Sequence, residues 1–249
     1  MSVSVLKGPL LLDAPVVERR VRVQLIRHFE VRCGSEVATL QPGAQRLIGF
    51  LAINHGPRLR SHVAGSLWPD AAEDRAGANL RTALWRIKQA GLEIVSSTST
   101  HLQLRSAVRV DLRDAEGLAR RLVDGADSLV NVDFASLRGD LLPDWYDDWV
   151  IVEQEPFRQL RLHALEALCH RLSMAGRHAE AVEAGLACVA GEPLRETAQA
   201  ALIRAHMAEG NPNEAIRQYR SYEALLGREL GLAPSHALTD LISGWPARS

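Results

Sequence analysis

Residues 67–91 read LWPDAAEDRAGANLRTALWRIKQAG, and this stretch decides the fold. Pro69 disfavours helix at the residue before it, so a short helix ends near Trp68. A polar loop, PDAAED, leads to a helix expected from Asp74 to Ala90, with Gly91 as its stop. At roughly 100° per residue, Leu80, Ala83, Leu84 and Ile87 share one face, which is expected to be buried. The opposite arc holds Arg75, Thr82, Trp85, Arg86 and Gln89, with Asn79 and Arg81 at its margins. A solvated face without a partner rarely carries a tryptophan beside arginines. Arginine matches the guanine edge, and asparagine or glutamine the adenine edge, through two parallel hydrogen bonds. The arc therefore points to a helix that reads bases in a major groove. The plainer alternative is an amphipathic helix whose Trp85 packs on a neighbouring domain.

The flanking segments supply a scaffold for such a helix. Val21, Val23 and Leu25 alternate with Arg22, Gln24 and Ile26, and Phe29–Cys33 and Glu36–Leu40 flank a Gly34-Ser35 turn. This predicts a small antiparallel sheet. Pro42 fits the first turn of a helix that ends near Gly56-Pro57, with Leu47, Phe50, Leu51 and Asn54 on one face. Ser61 is the expected cap of a short second helix, HVAGSLW. After the third helix, EIVSS and HLQLR alternate around Thr98-Ser99-Thr100, which predicts a hairpin. The expected fold class is mainly α with small β: a winged helix-turn-helix with an N-terminal antiparallel sheet, then an all-α helical repeat region. Arg58, Arg60, Lys88 and the hairpin residues Thr98, Thr100 and His101 are candidates to clamp phosphates or the minor groove.

The charge distribution points the same way. The 249 residues sum to −1, yet residues 19–110 hold 14 arginines and lysines against 6 acidic residues, and residues 111–249 hold 14 against 22. A basic half at +8 and an acidic half at −8 suggest a polyanion partner for the first. No apolar run is long enough to cross a membrane, and Leu10–Leu12 is too short for the core of a signal peptide, so residues 1–20 read as an N-terminal arm. Cys33, Cys169 and Cys188 form no CxxC pair, which disfavours disulfides and zinc and suits a reducing cytoplasm.

No GxSxG, P-loop, HExxH or GxGxxG occurs. His163 and His170 lie two helical turns apart, about 10 Å, too far to share one ion. Asp144, Asp147 and Asp148 sit among Trp145, Tyr146 and Trp149, which suits the packed start of a helix better than a cation site. No enzyme activity, cofactor or metal is expected.

The acidic half opens at Val110-Asp111-Leu112, with a helix expected over Arg113–Val123 and a loop marked by Gly125, Asn131 and Asp133. A long helix should follow Asp144–Asp148 and run through Arg171. Beyond it Gly176-Arg-His-Ala-Glu-Ala-Val recurs as Gly210-Asn-Pro-Asn-Glu-Ala-Ile at an offset of 34 residues, the tetratricopeptide period. Gly176 is expected to end the first helix of a pair and Pro193 to close the second. Ala181 and Cys188 are its small packing positions, and Ala215, Tyr219 and Tyr222 take comparable places in the second copy. The usual early aromatic is absent from both.

Residues 67–91, after the strand-strand-strand-helix opening, resemble the OmpR/PhoB-type winged helix in the version found in SARP-type antibiotic regulatory proteins, whose LW-x-D loop matches residues 67–70. The resemblance implies that Asp74–Ala90 enters the major groove and that Glu93–Arg105 is the wing. Gly139–Pro143, Tyr146–Trp149 and Glu229–Ser235 are similar to the G-D-L-L-P, Y-D-D-W and E-L-G-x-x-P-S stretches of the bacterial transcriptional activator domain, over roughly residues 111–243. Together these resemblances imply a cytoplasmic activator of secondary-metabolite genes. Such an activator binds direct repeats in double-stranded promoter DNA, with a second protomer on the DNA, and recruits the RNA polymerase holoenzyme. The expected division is an arm at 1–20, a winged-helix domain at 21–110 and an activator domain at 111–249. The competing reading is an interaction adaptor whose winged helix and repeats bind protein rather than DNA.

Overall fold

A computed structural model describes residues 21–126 and 132–243. The expected N-terminal arm and the Asn131 loop position lie outside the described residues. The chain begins with β1 (Val21–Gln24), β2 (Glu30–Cys33) and β3 (Glu36–Val37), an antiparallel meander. Then come α1 (Pro42–Ile53), β4 (Arg58–Leu59), α2 (Arg60–Leu67), α3 (Glu73–Gln89), β5 (Val95–Ser97), β6 (His101–Leu104) and β7 (Arg109–Val110). β4, β6 and β5 form a second antiparallel sheet in that order, and β7 returns to lie parallel to β1. The sheet and helices enclose Val23, Leu25, Leu47, Ile48, Leu51, Val63, Leu67, Leu80, Ile87 and Leu102, all buried.

Two sequence expectations need correction here. Ser61 caps nothing: α2 starts two residues earlier than expected, at Arg60, with Leu59 in the cap position and no side-chain cap bond. The Arg60 amide instead donates to the Thr100 carbonyl at 2.8 Å, so the hairpin supplies what a cap would have supplied. Only Glu36 and Val37 of the Glu36–Leu40 stretch pair as strand. The two-residue strands β4 and β7 were unforeseen, because two residues carry no alternation to read.

The helical part comprises α4 (Asp111–Val123), a 3₁₀ turn (Ala135–Arg138), α5 (Asp148–Met174), α6 (His178–Gly191), α7 (Glu196–Glu209), α8 (Pro212–Leu230) and α9 (His236–Ser243). α4 starts at Asp111 rather than Arg113 because the Asp111 carboxylate is fixed at its first turn. It accepts from the amides of Leu25 (2.8 Å), Ile26 (3.0 Å) and Leu112 (2.7 Å). α5 runs through Pro156, whose ring removes one backbone donor. The carbonyl it would have served belongs to Val152, an exposed position.

The 34-residue offset has a structural counterpart. α5 and α6 pack together, α6 packs on α7, and α7 on α8. Gly176 and Gly210 end α5 and α7 with φ of 74° and 86°, a left-handed turn that glycine adopts without a Cβ clash. Ala181 and Ala215, and Cys188 and Tyr222, are equivalent buried positions in α6 and α8, while Tyr219 is half-buried. Burial pushes the thiol of Cys169 up to about 11 and that of Cys188 up to about 12, which leaves both as packing groups.

The sequence motif at 139–143 forms the seam between the two parts. Arg27 N–H donates to the Asp140 carbonyl (2.8 Å), Leu142 N–H to Leu25 (2.9 Å), and Ile26 bridges Leu141. The side chain of Gln154 donates to the carbonyls of Leu141 and Leu142, at 3.0 Å each. Arg161, 2% exposed, pairs with Asp140 from the far side. A Cβ on Gly139 would lie 2.5 Å from Arg27 Cγ and 2.8 Å from Ile26 Cγ2, so a side chain has no room there. Trp145 stacks near Phe29 (centroids 5.3 Å apart), Trp149 meets Phe50 edge-on at 5.3 Å, and Arg46 pairs with Asp147. One continuous apolar core therefore runs from Val23 to Ala205.

Candidate nucleic-acid interface

α3 is anchored by Ala76, Leu80, Ala83 and Ile87, each buried, and Leu84 is only half-buried at the edge of that face. Asn79 is half-buried too, and Arg75, Arg81, Thr82, Trp85, Arg86, Lys88 and Gln89 are exposed. Trp85 is 60% exposed and does not pack on the helical part. Arg75, Arg81, Arg86 and Lys88 have no hydrogen bond or ion pair among the described residues. Their charges are free for a partner. The Thr82 hydroxyl donates to the Ala78 carbonyl at 3.0 Å and keeps its acceptor lone pairs outward.

The hairpin is joined through β4 to α2, which packs on this helix. Arg58 pairs across to Leu102 and Leu59 to His101, which sets Arg60 at the base of the wing. Arg60 Nη1 donates to Ser97 Oγ at 2.8 Å. Arg60 is thus brought to the wing, partly held by it. Arg58 is half-buried, and its Nε is enclosed without a partner, so the expectation of a free phosphate clamp fits it less well. At the turn, the Thr98 hydroxyl accepts from the amides of Thr100 (3.3 Å) and His101 (2.9 Å). Thr98 mainly holds the turn, while the Thr100 hydroxyl lies 2.9 Å from His101 Nδ1 at the exposed tip. The wing carries no arginine or lysine between Val95 and Leu104. Arg105, just beyond it and not singled out from the sequence, lies 3.8 Å from Glu93.

The structure thus gathers an outward arc of four unpaired cations, a tryptophan and amide and hydroxyl groups on one helix. A polar hairpin is tied to α2, which packs on that helix. The acidic surface of α5–α9 belongs to the other part of the chain.

The profile of the bacterial transcriptional activator domain matches residues 107–244, more than half of the chain. The chain belongs to that family. The family is one of transcriptional regulators, and the resemblance of residues 139–143, 146–149 and 229–235 to the activator domain agrees with membership. No curated protein sequence matches the chain. Among solved structures it is similar to Mycobacterium tuberculosis EmbR, in a complex with a low-affinity phosphopeptide, with a TM-score of 0.69 and 18% identity. The alignment covers 91% of this chain and 65% of that one, so the family member described here spans under two thirds of EmbR's length. At that identity the likeness shows the fold: a winged helix joined to a helical activator region.

His163 and His170 belong to no metal cluster among the described residues. His163 lies 3.2 Å from Arg195 Nη2, and Arg195 Nε donates to Glu166 at 2.7 Å, a polar tie between α5 and the start of α7. No described helix is long and apolar enough to cross a membrane.

Proposed function

We propose that this regulator is a sequence-specific DNA-binding transcriptional activator. α3 lies in the major groove of double-stranded promoter DNA, and the hairpin Val95–Leu104 lies on the adjacent backbone. The observation that carries this is the exposed Trp85 among the unpaired Arg75, Arg81, Arg86 and Lys88 on a helix whose other face is buried. Unpaired guanidinium groups on a helix of that width suit base edges and phosphates, and the +8 of residues 19–110 supports the same reading. The division into arm, winged helix and activator domain at 20 and 110 is part of the proposal. So are the tetratricopeptide-like character of α5–α8, contact with RNA polymerase and a second protomer through the helical part, and action in the cytoplasm on a secondary-metabolite cluster.

The test is a mobility shift of the full chain on promoter fragments from its own gene neighbourhood, at two salt concentrations. Binding should weaken steeply with salt, because phosphate contacts release counterions. Arg86→Ala should reduce cognate affinity by about 1–3 kcal/mol, roughly 5- to 150-fold, while Arg220→Ala on α8 should not. Salt-insensitive binding, or equal loss in both variants, would favour the adaptor reading.

A further inference from the structure

We propose that the cleft between the α2–α3 loop and the start of α5 is a binding site for a small organic cation with a planar body. The cleft has a volume of about 760 Å³ and is walled by both parts of the chain. From the winged helix come Trp68, Asp70 and Arg75, and from the helical part Tyr146, Asp148 and Trp149. Its floor is neutralised internally, since Arg46 pairs with Asp147. Neither Asp70 nor Asp148 makes a side-chain hydrogen bond or ion pair among the described residues, and with one guanidinium, Arg75, set against these two carboxylates the lining stays net negative. Arg75 pairs with neither of them.

The aromatic residues point to an organic ion rather than a hydrated metal. Tyr146 is 82% exposed, a large ring left in water beside a cavity. Trp68 and Trp149 are half-buried and fixed, Trp149 by edge contacts to Phe50 and Trp145. Rings with a negative π-face beside free carboxylates attract an ammonium, amidinium or guanidinium carried on an apolar frame. A carboxylate or phosphate ligand could pair with Arg75 but would face both Asp70 and Asp148, so the net charge of the lining disfavours it. A bare divalent ion would find only two free carboxylates, since the third, Asp147, is paired with Arg46.

The probe is benzamidine, a planar aromatic amidinium, added to the full-length ¹⁵N-labelled chain without DNA. Benzamide is its neutral isostere and benzoate its anionic one. The readout is the indole N–H signals of the five tryptophans, assigned by single Trp→Phe variants. Benzamidine should move the Trp68 and Trp149 signals saturably, with a Kd of about 1 mM, and leave Trp85 in place. Benzamide and benzoate should not move them. The double variant Asp70→Asn/Asp148→Asn should bind at least about tenfold more weakly, and Arg75→Ala, which removes a like charge, more tightly. The ¹⁵N spectrum of each variant reports whether it is folded. An equal response to benzamide would reduce the site to an apolar slot, and unchanged affinity in the double variant would remove the carboxylates from it. A linear, unsaturated drift would mean no site. Each of these results overturns the proposal, and none of them bears on the DNA shift.

Discussion

Asp111 offers a quantitative test of how the two parts are joined. Its carboxylate accepts from the Leu25 and Ile26 amides, and both residues are buried, so Asp111→Ala strands two donors away from water. Each stranded amide costs about 1–3 kcal/mol, so the gross loss is about 2–6 kcal/mol. The bond to Leu112 is a first-turn amide of α4 and adds less. Against this, burial penalises the charged carboxylate and raises its pKa above the ordinary 3.8, so removing it returns part of the loss. The expected net destabilisation is about 2–4 kcal/mol. Asp111→Asn should lose about 1–3 kcal/mol, because an NH₂ would then oppose an N–H donor at Leu25 or Ile26. The sign of the pH effect follows from the raised pKa. The folded chain holds the proton more tightly than the unfolded one, so this residue's contribution is greatest below about pH 4 and falls as pH rises through the folded value. That fall should be absent in Asp111→Asn. Urea unfolding followed by far-UV circular dichroism, at a series of pH values, measures all of this. A loss in Asp111→Ala of under about 0.5 kcal/mol would refute the reasoning, since that is within the range of a neutral surface change.

Gly139→Ala should lower stability by about 1–3 kcal/mol through overpacking against Ile26 and Arg27, read by the same unfolding curves, whereas Gly125→Ala, which meets no atom within 4 Å, tests only backbone strain. With Cys169 and Cys188 buried and shifted to about 11 and about 12, a thiol reagent at pH 8 should label only Cys33 in the native chain and all three cysteines after unfolding. Trp85→Ala should leave the unfolding midpoint within about 0.5 kcal/mol of wild type while weakening promoter binding, since the exposed ring leaves no cavity. On a promoter with two direct repeats, the full chain should bind cooperatively at a spacing of about 10–11 bp and lose cooperativity when one repeat is moved by about half a turn, as footprinting would show.

Sequence by itself determined what depends on periodicity and local stereochemistry. Leu80, Ala83 and Ile87 recur at helical spacing, so the buried face of α3 and the outward arc of Trp85 and Arg86 could be read from residue order, because a helix fixes which side chains share a side. Gly91, Gly176 and Gly210 marked helix ends because a left-handed residue favours glycine. The 34-residue offset placed Ala181 with Ala215 and Cys188 with Tyr222 before any packing was known. Tertiary structure alone decided what depends on residues far apart in the chain. Ser61 has the chemistry of a cap, but the Thr100 carbonyl, 40 positions away, took the Arg60 amide. Asp111 reads as an ordinary helix start until Leu25 and Ile26 are seen to donate to it across 86 and 85 residues. Nothing in residue order marks Arg161 as different from other arginines, yet it is buried against Asp140 and the Leu137 carbonyl. Residue order encodes the directions of side chains within one element. Which buried donor meets which acceptor is settled only when elements pack, because every enclosed polar group must then find its partner in space.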